Sequence, residues 1–186
     1  MNYVFNLVII GNGGHSKTIQ SAIESVNQYS FDVIDSDKNF PFKKYQNTHM
    51  VLAIGDNNIR EKVYKKLKKS SLVIKAKSST VDRQTNIDEG TVILHNSVIQ
   101  RDTTIGKYCI INTNASVDHD CNIGNFVHIA PNSTLCGNVT VGDNTLIGAG
   151  AVVIPGVTIG KNCIIGAGTV VLADVKDNQT VVGKHG

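Results

Sequence analysis

The chain has 186 residues, enough for one large or two small domains, and its formal net charge of +3 is too small to indicate a nucleic-acid partner. No apolar stretch is long enough to cross a bilayer, because the run over residues 4–10 is short and contains Asn6, and no secretory signal is present. The four cysteines show no metal-ligand spacing, so we expect reduced thiols, no bound metal, no membrane partner and a cytoplasmic protein.

Strands and helices alternate in the first part of the chain. The composition predicts strands over residues 3–10, 31–34, 50–54 and 72–74. A first helix runs to about residue 28 on the apolar spacing of Ile19, Ala22, Ile23 and Val26. A second helix is expected to start at an Asn58 cap and to present an apolar face. That face consists of Ile59, Val63 and Leu67. This alternation predicts a Rossmann-like α/β domain, a small parallel sheet flanked by helices.

A glycine-rich loop follows the first predicted strand. Gly11, Gly13 and Gly14 let the backbone approach a phosphate, and the next helix offers its free N–H groups. Asp35 closes the second strand, where Rossmann proteins place a ribose-binding acid. Ser16 replaces the third glycine of the dinucleotide fingerprint, and the domain has room for one mononucleotide half, so a moiety such as UDP fits better than NAD. A purely structural glycine turn is the alternative interpretation.

The composition changes near residue 80. Residues 1–80 carry twelve Lys and Arg against six Asp and Glu, whereas residues 81–186 carry six against nine. Eight of the ten Phe and Tyr residues also lie in the first segment. We therefore place a domain boundary there, between residues 1–80 and residues 81–186.

A six-residue period dominates the second part. From Val81 to Val171 every sixth residue is aliphatic, and the fifth position of each hexad is small or short. Such a period is typical of a β-solenoid, and it does not fit the 3.6-residue turn of an α-helix. We expect three hexads to close a triangular coil and successive coils to stack about 4.8 Å apart. Residues eighteen apart, such as Cys109 and Val127, should then lie above one another inside the prism.

Hexads that begin with an aliphatic residue and continue with glycine, as in Ile105-Gly106 and Ile123-Gly124, resemble those of the left-handed β-helix acyltransferases. The whole chain resembles the bacterial nucleotide-sugar N-acetyltransferases. These include the UDP-N-acetylbacillosamine and perosamine N-acetyltransferases and the related sialic-acid O-acetyltransferases. The motifs that carry this resemblance are Gly11–His15, Asp35-Ser36, Ile54-Gly55-Asp56-Asn57 with Arg60, Asn112-Thr113 and His119-Asp120-Cys121. The resemblance implies a left-handed parallel β-helix of hexapeptide repeats for the second domain.

The resemblance also implies a nucleotide-sugar-binding domain over residues 1–80 and an acetyltransferase domain, with a cofactor site on the β-helix, over residues 81–186. The residues implied to bind the nucleotide sugar are Gly13, Gly14, His15, Asp35, Ser36 and Gly55. Ser36 stands where family members often carry a second acid. The residues implied to meet acetyl-CoA are His128, Ala149 and Ala167. Small residues suit the last two positions, because the long pantetheine arm needs a shallow track along the prism.

An amine that attacks a thioester must lose a proton, and a histidine that is neutral near pH 7 suits that task. His119 is the best candidate, because its place in the hexad points it outward and the resemblance puts the family's catalytic base there. Asp118 and Asp120 flank it, and either can orient the imidazole; Asp120 stands where the family usually has Glu. Gly137 lies one coil above, where it leaves room for the acyl group and offers an N–H to the oxyanion.

We therefore expect acetyl transfer from acetyl-CoA to the amino group of a UDP-linked 4-amino sugar, in a homotrimer that holds acetyl-CoA between subunits, as the resemblance implies. Two alternatives stay open. One is an O-acetyltransferase acting on sialic acid or another sugar. The other is a non-catalytic hexapeptide protein that binds a nucleotide sugar, although such a protein would need no base at His119.

Overall fold

The computed structural model describes residues 5–27, 29–34, 45, 48–67 and 71–186. Their fold is the one the sequence predicted, an α/β domain followed by a left-handed parallel β-helix of hexapeptide repeats. No helix in these ranges has the length and apolar character that a bilayer crossing demands.

The α/β domain is a three-stranded parallel sheet with two helices. Its elements are β1 (Phe5–Ile10), α1 (Gly14–Val26), β2 (Tyr29–Ile34), β3 (His49–Leu52) and α2 (Asn57–Leu67). The strand order is β2-β1-β3, so β1 is central, and Val8 and Ile9 on its opposite faces are both fully buried. The predicted apolar positions Ile19 and Ile23 of α1 pack against this sheet. Because β1 is central, the loop that follows it lies at the middle of the carboxyl edge of the sheet.

The β-helix has three walls of short parallel strands. Wall 1 consists of β4 (Ile74–Lys75), β7 (Val92–Ile93), β10 (Ile110–Ile111), β13 (His128–Ile129), β16 (Leu146–Ile147), β19 (Ile164–Ile165) and β21 (Thr180–Val181). Wall 2 consists of β5 (Thr80–Val81), β8 (Val98–Ile99), β11 (Ser116–Val117), β14 (Thr134–Leu135), β17 (Val152–Val153), β20 (Val170–Val171) and β22 (Lys184–His185). Wall 3 consists of β6 (Asn86–Ile87), β9 (Thr104–Ile105), β12 (Asn122–Ile123), β15 (Thr140–Val141) and β18 (Thr158–Ile159).

The interior of the prism follows the predicted register. Ile111 pairs with Ile129, eighteen residues later, and both side chains are fully buried. Most of the small fifth positions are buried as well, and most of their polar atoms are satisfied inside the prism, although Thr169 Oγ1 has no partner among the described residues. Thr91 Oγ1, for example, donates to the Gly106 carbonyl at 2.8 Å and accepts from the Cys109 N–H at 3.0 Å. The predicted stack that contains Cys109 is therefore confirmed as a packed, hydrogen-bonded core.

The predicted fourth strand belongs to the β-helix instead of the α/β sheet. Ile74 and Lys75 pair with Val92 and Ile93 in wall 1, so the solenoid begins before the boundary expected at residue 80. Lys75 takes the register position that is aliphatic in later coils, and its side chain is exposed. Because this position holds a lysine, the six-residue aliphatic pattern does not extend to the first, open coil and does not reveal it.

The second helix buries part of the predicted face and a polar face that was not predicted: Val63 and Leu67 pack against the core, whereas Ile59 does not. It begins at Asn57, and Asp56 caps it by accepting the Ile59 N–H at 2.8 Å, so the predicted Asn58 cap is wrong. Ile59 is 50% exposed, whereas Arg60 is 1% exposed. The reason is that α2 packs its polar face against the corner between walls 3 and 1 of the β-helix.

Candidate active site

His119 lies in the turn between β11 and β12, at the corner between walls 2 and 3. Its side chain is 58% exposed, and its Nδ1 is 2.7 Å from Asp120 Oδ2. A carboxylate only accepts, so Nδ1 carries a proton and the neutral ring leaves the Nε2 lone pair free. The hydrogen bond to Asp120, and secondly the charge of Asp118, raise the pKa of His119. This is the geometry of an oriented base at an open surface.

Gly137 lies directly above His119 in the next coil. The two coils are tied by the Asn138 N–H, which donates to the His119 carbonyl at 2.9 Å. A Cβ on Gly137 would come within 2.6 Å of His119 Cε1, so a glycine is needed for the imidazole to lie there. The His119 N–H is taken by Asp118 Oδ1 at 2.8 Å. Within residues 71–186 the Gly137 N–H has no acceptor, because Cys136 provides no carboxylate before it.

An open groove of about 460 Å³ runs over this corner. Its lining residues are Asp118, His119, Cys136, Gly137, Asn138, Pro155 and Gly156. A proton acceptor and an unpaired backbone donor therefore face the same space, as an acyl transfer requires. The described side chains form no hydrogen bond between Cys136 and His119, so the thiol is not paired with the base.

The glycines of the first loop differ in what they do for the fold. Gly11 has a φ of +119°, and a Cβ there would come within 2.6 Å of the Ala53 carbonyl oxygen. Its role is structural, because the conformation and the close approach both require glycine. A Cβ on Gly13 or on Gly14 would meet no described atom within 4 Å. Those two glycines border open space, which is what a ligand site needs.

Two histidines meet beside this loop. The His15 and His128 rings lie 6.1 Å apart between centroids, and His128 Nδ1 is 3.3 Å from the Gly55 carbonyl oxygen. Burial, and secondly the charge of Arg60, lower the pKa of each histidine to about 4. Both rings are therefore neutral near pH 7. Among the residues that the structure describes, His15 Nε2 is buried with no hydrogen-bond partner. An unpaired buried nitrogen of this kind suits a polar ligand atom.

The remaining predicted site residues lie elsewhere. Asp35 and Ser36 fall outside the described residues. Ala149 and Ala167 are exposed at the corner between walls 1 and 2, one coil apart, where the Gly168 N–H donates to the Ala149 carbonyl at 2.8 Å. His128 projects from wall 1 and lies with the predicted substrate residues, away from the corner of the two alanines.

The predicted residues thus form three separate groups on one chain. The α/β domain covers the first coils of wall 1, where Val92 and Ile110 belong to its hydrophobic core, and Asn57 Nδ2 donates to the Thr145 carbonyl at 3.1 Å at the edge of this wall. His119 occupies the corner opposite that wall, between walls 2 and 3. A single chain does not bring the base to the glycine loop.

Sequence reasoning gave no role to Arg60, although it is the largest fully buried side chain among the described residues. Its five hydrogen bonds tie α2 to the Gly55 segment and to the β-helix carbonyls of Tyr108 and Phe126. A signal was present in the sequence. Tyr108 and Phe126, eighteen residues apart, replace the Asn, Asp or Gly that usually occupies this turn position.

Two family models match the chain. The PglD N-terminal domain matches residues 6–67, and the bacterial transferase hexapeptide matches residues 120–154 and 138–173. A comparison with curated protein sequences gave no match.

The chain is also similar to solved structures. PerB from Caulobacter crescentus, in complex with CoA and GDP-perosamine, is 35% identical, with a TM-score of 0.91 over 96% of this chain and 94% of that one. A variant of that perosamine N-acetyltransferase with one histidine replaced by asparagine, also with CoA and GDP-perosamine, is 34% identical, with a TM-score of 0.88 over 96% and 93%. The acetyltransferase domain of PglB from Neisseria gonorrhoeae FA1090, in complex with acetyl coenzyme A, is 29% identical, with a TM-score of 0.90 over 97% of both chains.

The two family models fall on the two parts of the fold, and the similarity to PerB extends over nearly the whole length of both chains. This protein therefore belongs to the acetyl-CoA-dependent bacterial nucleotide-sugar N-acetyltransferases that join a PglD-type N-terminal domain to a left-handed β-helix of hexapeptide repeats.

Proposed function

We propose that this enzyme acetylates the amino group of a UDP-linked 4-amino sugar and that His119 is the general base. The observation that carries the proposal is the corner at His119. There Asp120 orients an exposed imidazole at 2.7 Å, and the Gly137 backbone of the next coil lies against the ring in the same groove. This corner offers a proton acceptor and an oxyanion donor to one acyl group.

In the proposed reaction the amine nitrogen attacks the thioester carbonyl carbon of acetyl-CoA. His119 Nε2 accepts the proton that the nitrogen loses as the C–N bond forms. The Gly137 N–H donates to the oxygen on which negative charge develops. The C–S bond then breaks, and the sulfur leaves as the CoA thiol with the proton that His119 received. Transfer is direct, because no described thiol or hydroxyl is paired with His119 as a nucleophile.

The sugar nucleotide is assigned to the α/β domain. Gly13 and Gly14 border open space at the start of α1, and His15 and Gly55 lie beside them. Asp35 and Ser36 complete this assignment on the resemblance alone. The single mononucleotide half favours one nucleotide over a dinucleotide and does not select its base. UDP is the nucleotide proposed here, and the ligand named for PerB is GDP-perosamine, so both nucleotides belong in the substrate test.

The assembly is proposed to be a homotrimer with acetyl-CoA between subunits. Two features of the chain support it. His119 lies at the corner opposite the wall that carries the α/β domain, so a second copy is needed to bring the base to the sugar. Aliphatic side chains are also exposed on the outer faces of walls 1 and 2, among them Ile164 (48%) and Val170 (39%). In such a ring, Ala149 and Ala167 line the acetyl-CoA track, whereas His128, which the resemblance also implied for acetyl-CoA, is assigned to the nucleotide-sugar side because it lies beside Gly55 and His15. The enzyme is proposed to work in the reducing cytoplasm.

A substrate screen tests the proposal. The purified protein is incubated with acetyl-CoA and with UDP- or GDP-linked 4-amino sugars, while thiol release and product mass are followed. A sugar that carries a 4-hydroxyl group in place of the amine is the matched control. We expect thiol release with the UDP-linked amine and an amide product. Turnover of the hydroxyl sugar at a similar rate would favour the O-acetyltransferase, and faster turnover of the GDP sugar would correct the nucleotide.

A further inference from the structure

Arg60 is a buried cation whose side chain forms no ion pair with a carboxylate of the described residues. Its Nε donates to the Tyr108 carbonyl at 2.8 Å, and its Nη1 donates to the carbonyls of Ile54 at 2.9 Å and Gly55 at 3.2 Å. Its Nη2 donates to Asn57 Oδ1 and to the Phe126 carbonyl, both at 2.8 Å. All five N–H groups are used, and none of these acceptors is a carboxylate. Burial lowers the pKa of Arg60 to about 10, so the side chain stays charged at neutral pH.

Two of these acceptors belong to strained residues. Tyr108 and Phe126 have φ values of +53° and +57°, a region that aromatic residues rarely adopt. Their rings stack at 5.7 Å, and Tyr64 of α2 packs on the Tyr108 ring at 4.5 Å. Arg60 and Tyr64 therefore hold α2 against a corner of the β-helix whose backbone conformation and ring packing are defined by Tyr108 and Phe126.

The Gly55 carbonyl links Arg60 to His128. This one oxygen accepts from Arg60 Nη1 at 3.2 Å and from His128 Nδ1 at 3.3 Å, and a carbonyl has two lone pairs for two donors. Because the carbonyl cannot donate, Nδ1 of His128 carries the proton. Its Nε2 then accepts from Asn112 Nδ2 at 3.1 Å. The orientation and tautomer of His128 thus depend on where Arg60 holds Gly55.

We propose that Arg60 is a positioning residue for the nucleotide-sugar half of the reaction, which rests on the function proposed above. It fixes the Gly55 carbonyl against the β-helix, and that carbonyl fixes His128 with its proton on Nδ1. Arg60 acts through these groups, since its own donors are all occupied. The charged and titratable groups around it are His15 at the start of α1, Asp56 before α2, and Cys109 and His128 on the β-helix.

Two variants separate the charge of Arg60 from its geometry. Arg60→Lys keeps the positive charge but cannot reach all five acceptors. Arg60→Met removes both the charge and the hydrogen bonds. We expect each to raise the KM for the nucleotide sugar on the order of tenfold and to leave the KM for acetyl-CoA within about twofold. Imidazole NMR should show the pKa values of His15 and His128 rising by about one unit in Arg60→Met and staying low in Arg60→Lys. Lys62→Met, which removes an exposed charge from the same helix, is the control and should change none of these quantities.

The NMR measurement does not depend on whether the enzyme turns over a substrate. If the wild-type enzyme acetylates no amino sugar, the function proposed above fails, while the titrations still report on Arg60. Unchanged histidine pKa values and an unchanged sugar KM in Arg60→Met would overturn the role of Arg60 alone. Should both variants fail to fold, the wild-type spectrum decides. A His128 ring protonated on Nε2, or titrating near its ordinary pKa of 6.5, would overturn the proposal.

Discussion

At the scale of single residues, two neighbouring carboxylates divide the work of holding His119. Asp118 accepts the backbone N–H at 2.8 Å and shapes the turn, whereas Asp120 accepts from the ring at 2.7 Å and orients the imidazole. Asp120 has a φ of +58°, and the left-handed conformation that it shares with the other turn residues brings its carboxylate back to the ring. In the next coil, Cys136 takes the position of Asp118. It offers no carboxylate, so the Gly137 N–H has no acceptor among the described residues.

Asp120→Asn tests how this orientation controls the base. The base works only when neutral, so kcat should rise with pH through the pKa of His119. The hydrogen bond between the His119 ring and Asp120 is the largest cause that raises the pKa of His119 above 6.5. In Asp120→Asn we expect the midpoint of the pH–kcat profile to move to lower pH. We also expect kcat to fall on the order of 10²-fold, because an amide can present a donor to Nδ1 and favour the wrong tautomer. An unchanged midpoint would show that Asp120 does not act on His119.

At the scale of elements, the β-helix could be predicted almost completely and the helices only in part. The six-residue period specifies each interior position, because residues one coil apart must fill the same space. The period fails at the two ends of the β-helix. At the first, open coil Lys75 takes an aliphatic position, and in the last coil Val181 pairs with Ile165 only sixteen residues earlier. The residues buried in the first turn of α2 could not be predicted from its own sequence, although Val63 and Leu67 pack as expected. Its partner is a row of corner carbonyls, so Asn57 and Arg60 are buried and Ile59 is not.

The part of the candidate site that lies within the repeat could be predicted from the sequence, whereas the part that depends on long-range contacts could not. His119, Asp120 and Gly137 come together because a fixed repeat sets their separation, and the sequence contains that repeat. The meeting of His15 with His128 depends on how the α/β domain docks on wall 1. That docking is made by long-range contacts such as the bond from Arg60 to Phe126, which no local pattern describes.

Substitutions at two glycines test the corner between walls 3 and 1, on which α2 docks. In Gly90→Ala, with φ at +72°, the new Cβ would overlap the Tyr108 ring, whereas in Gly150→Ala, with φ at +66°, it would meet no described atom. We expect Gly150→Ala to lower the free energy of unfolding by about 1–2 kcal/mol, the cost of the backbone conformation. Gly90→Ala should cost about 2–4 kcal/mol and raise the KM for the nucleotide sugar, because Tyr108 must move. Urea unfolding and initial rates measure both, and equal effects of the two changes would remove Tyr108 from the docking.

At the scale of the whole molecule, the chain presents its chemistry on separate sides. The proposed base His119 lies at the corner between walls 2 and 3, the glycine loop proposed to hold the sugar nucleotide lies over wall 1, and Ala149 and Ala167 lie at the corner between walls 1 and 2. A ring of three copies would bring a corner of one prism to a wall of the next. The active sites would then belong to interfaces, and each would need parts of two chains.

Mixed trimers test this division. Gly13→Leu should keep the fold, since a Cβ there meets no described atom within 4 Å, and should fill the space assigned to the sugar nucleotide. His119→Ala chains and Gly13→Leu chains should each be inactive alone. Co-expressed in equal amounts with different tags, they should recover about a quarter of wild-type activity if each site uses both chains. No recovery in trimers shown to contain both tags would place the whole site within one chain.

The central claim is that His119 takes the proton of the attacking amine, and kcat of the His119→Ala variant tests it most directly. His119 is exposed and its neighbours Val117 and Ile123 carry the packing, so the variant should fold and bind both substrates as the wild type does. Loss of a general base removes an interaction made in the transition state, so we predict a fall in kcat of at least about a hundredfold with KM values nearly unchanged. A folded His119→Ala enzyme with near-normal kcat would contradict the account.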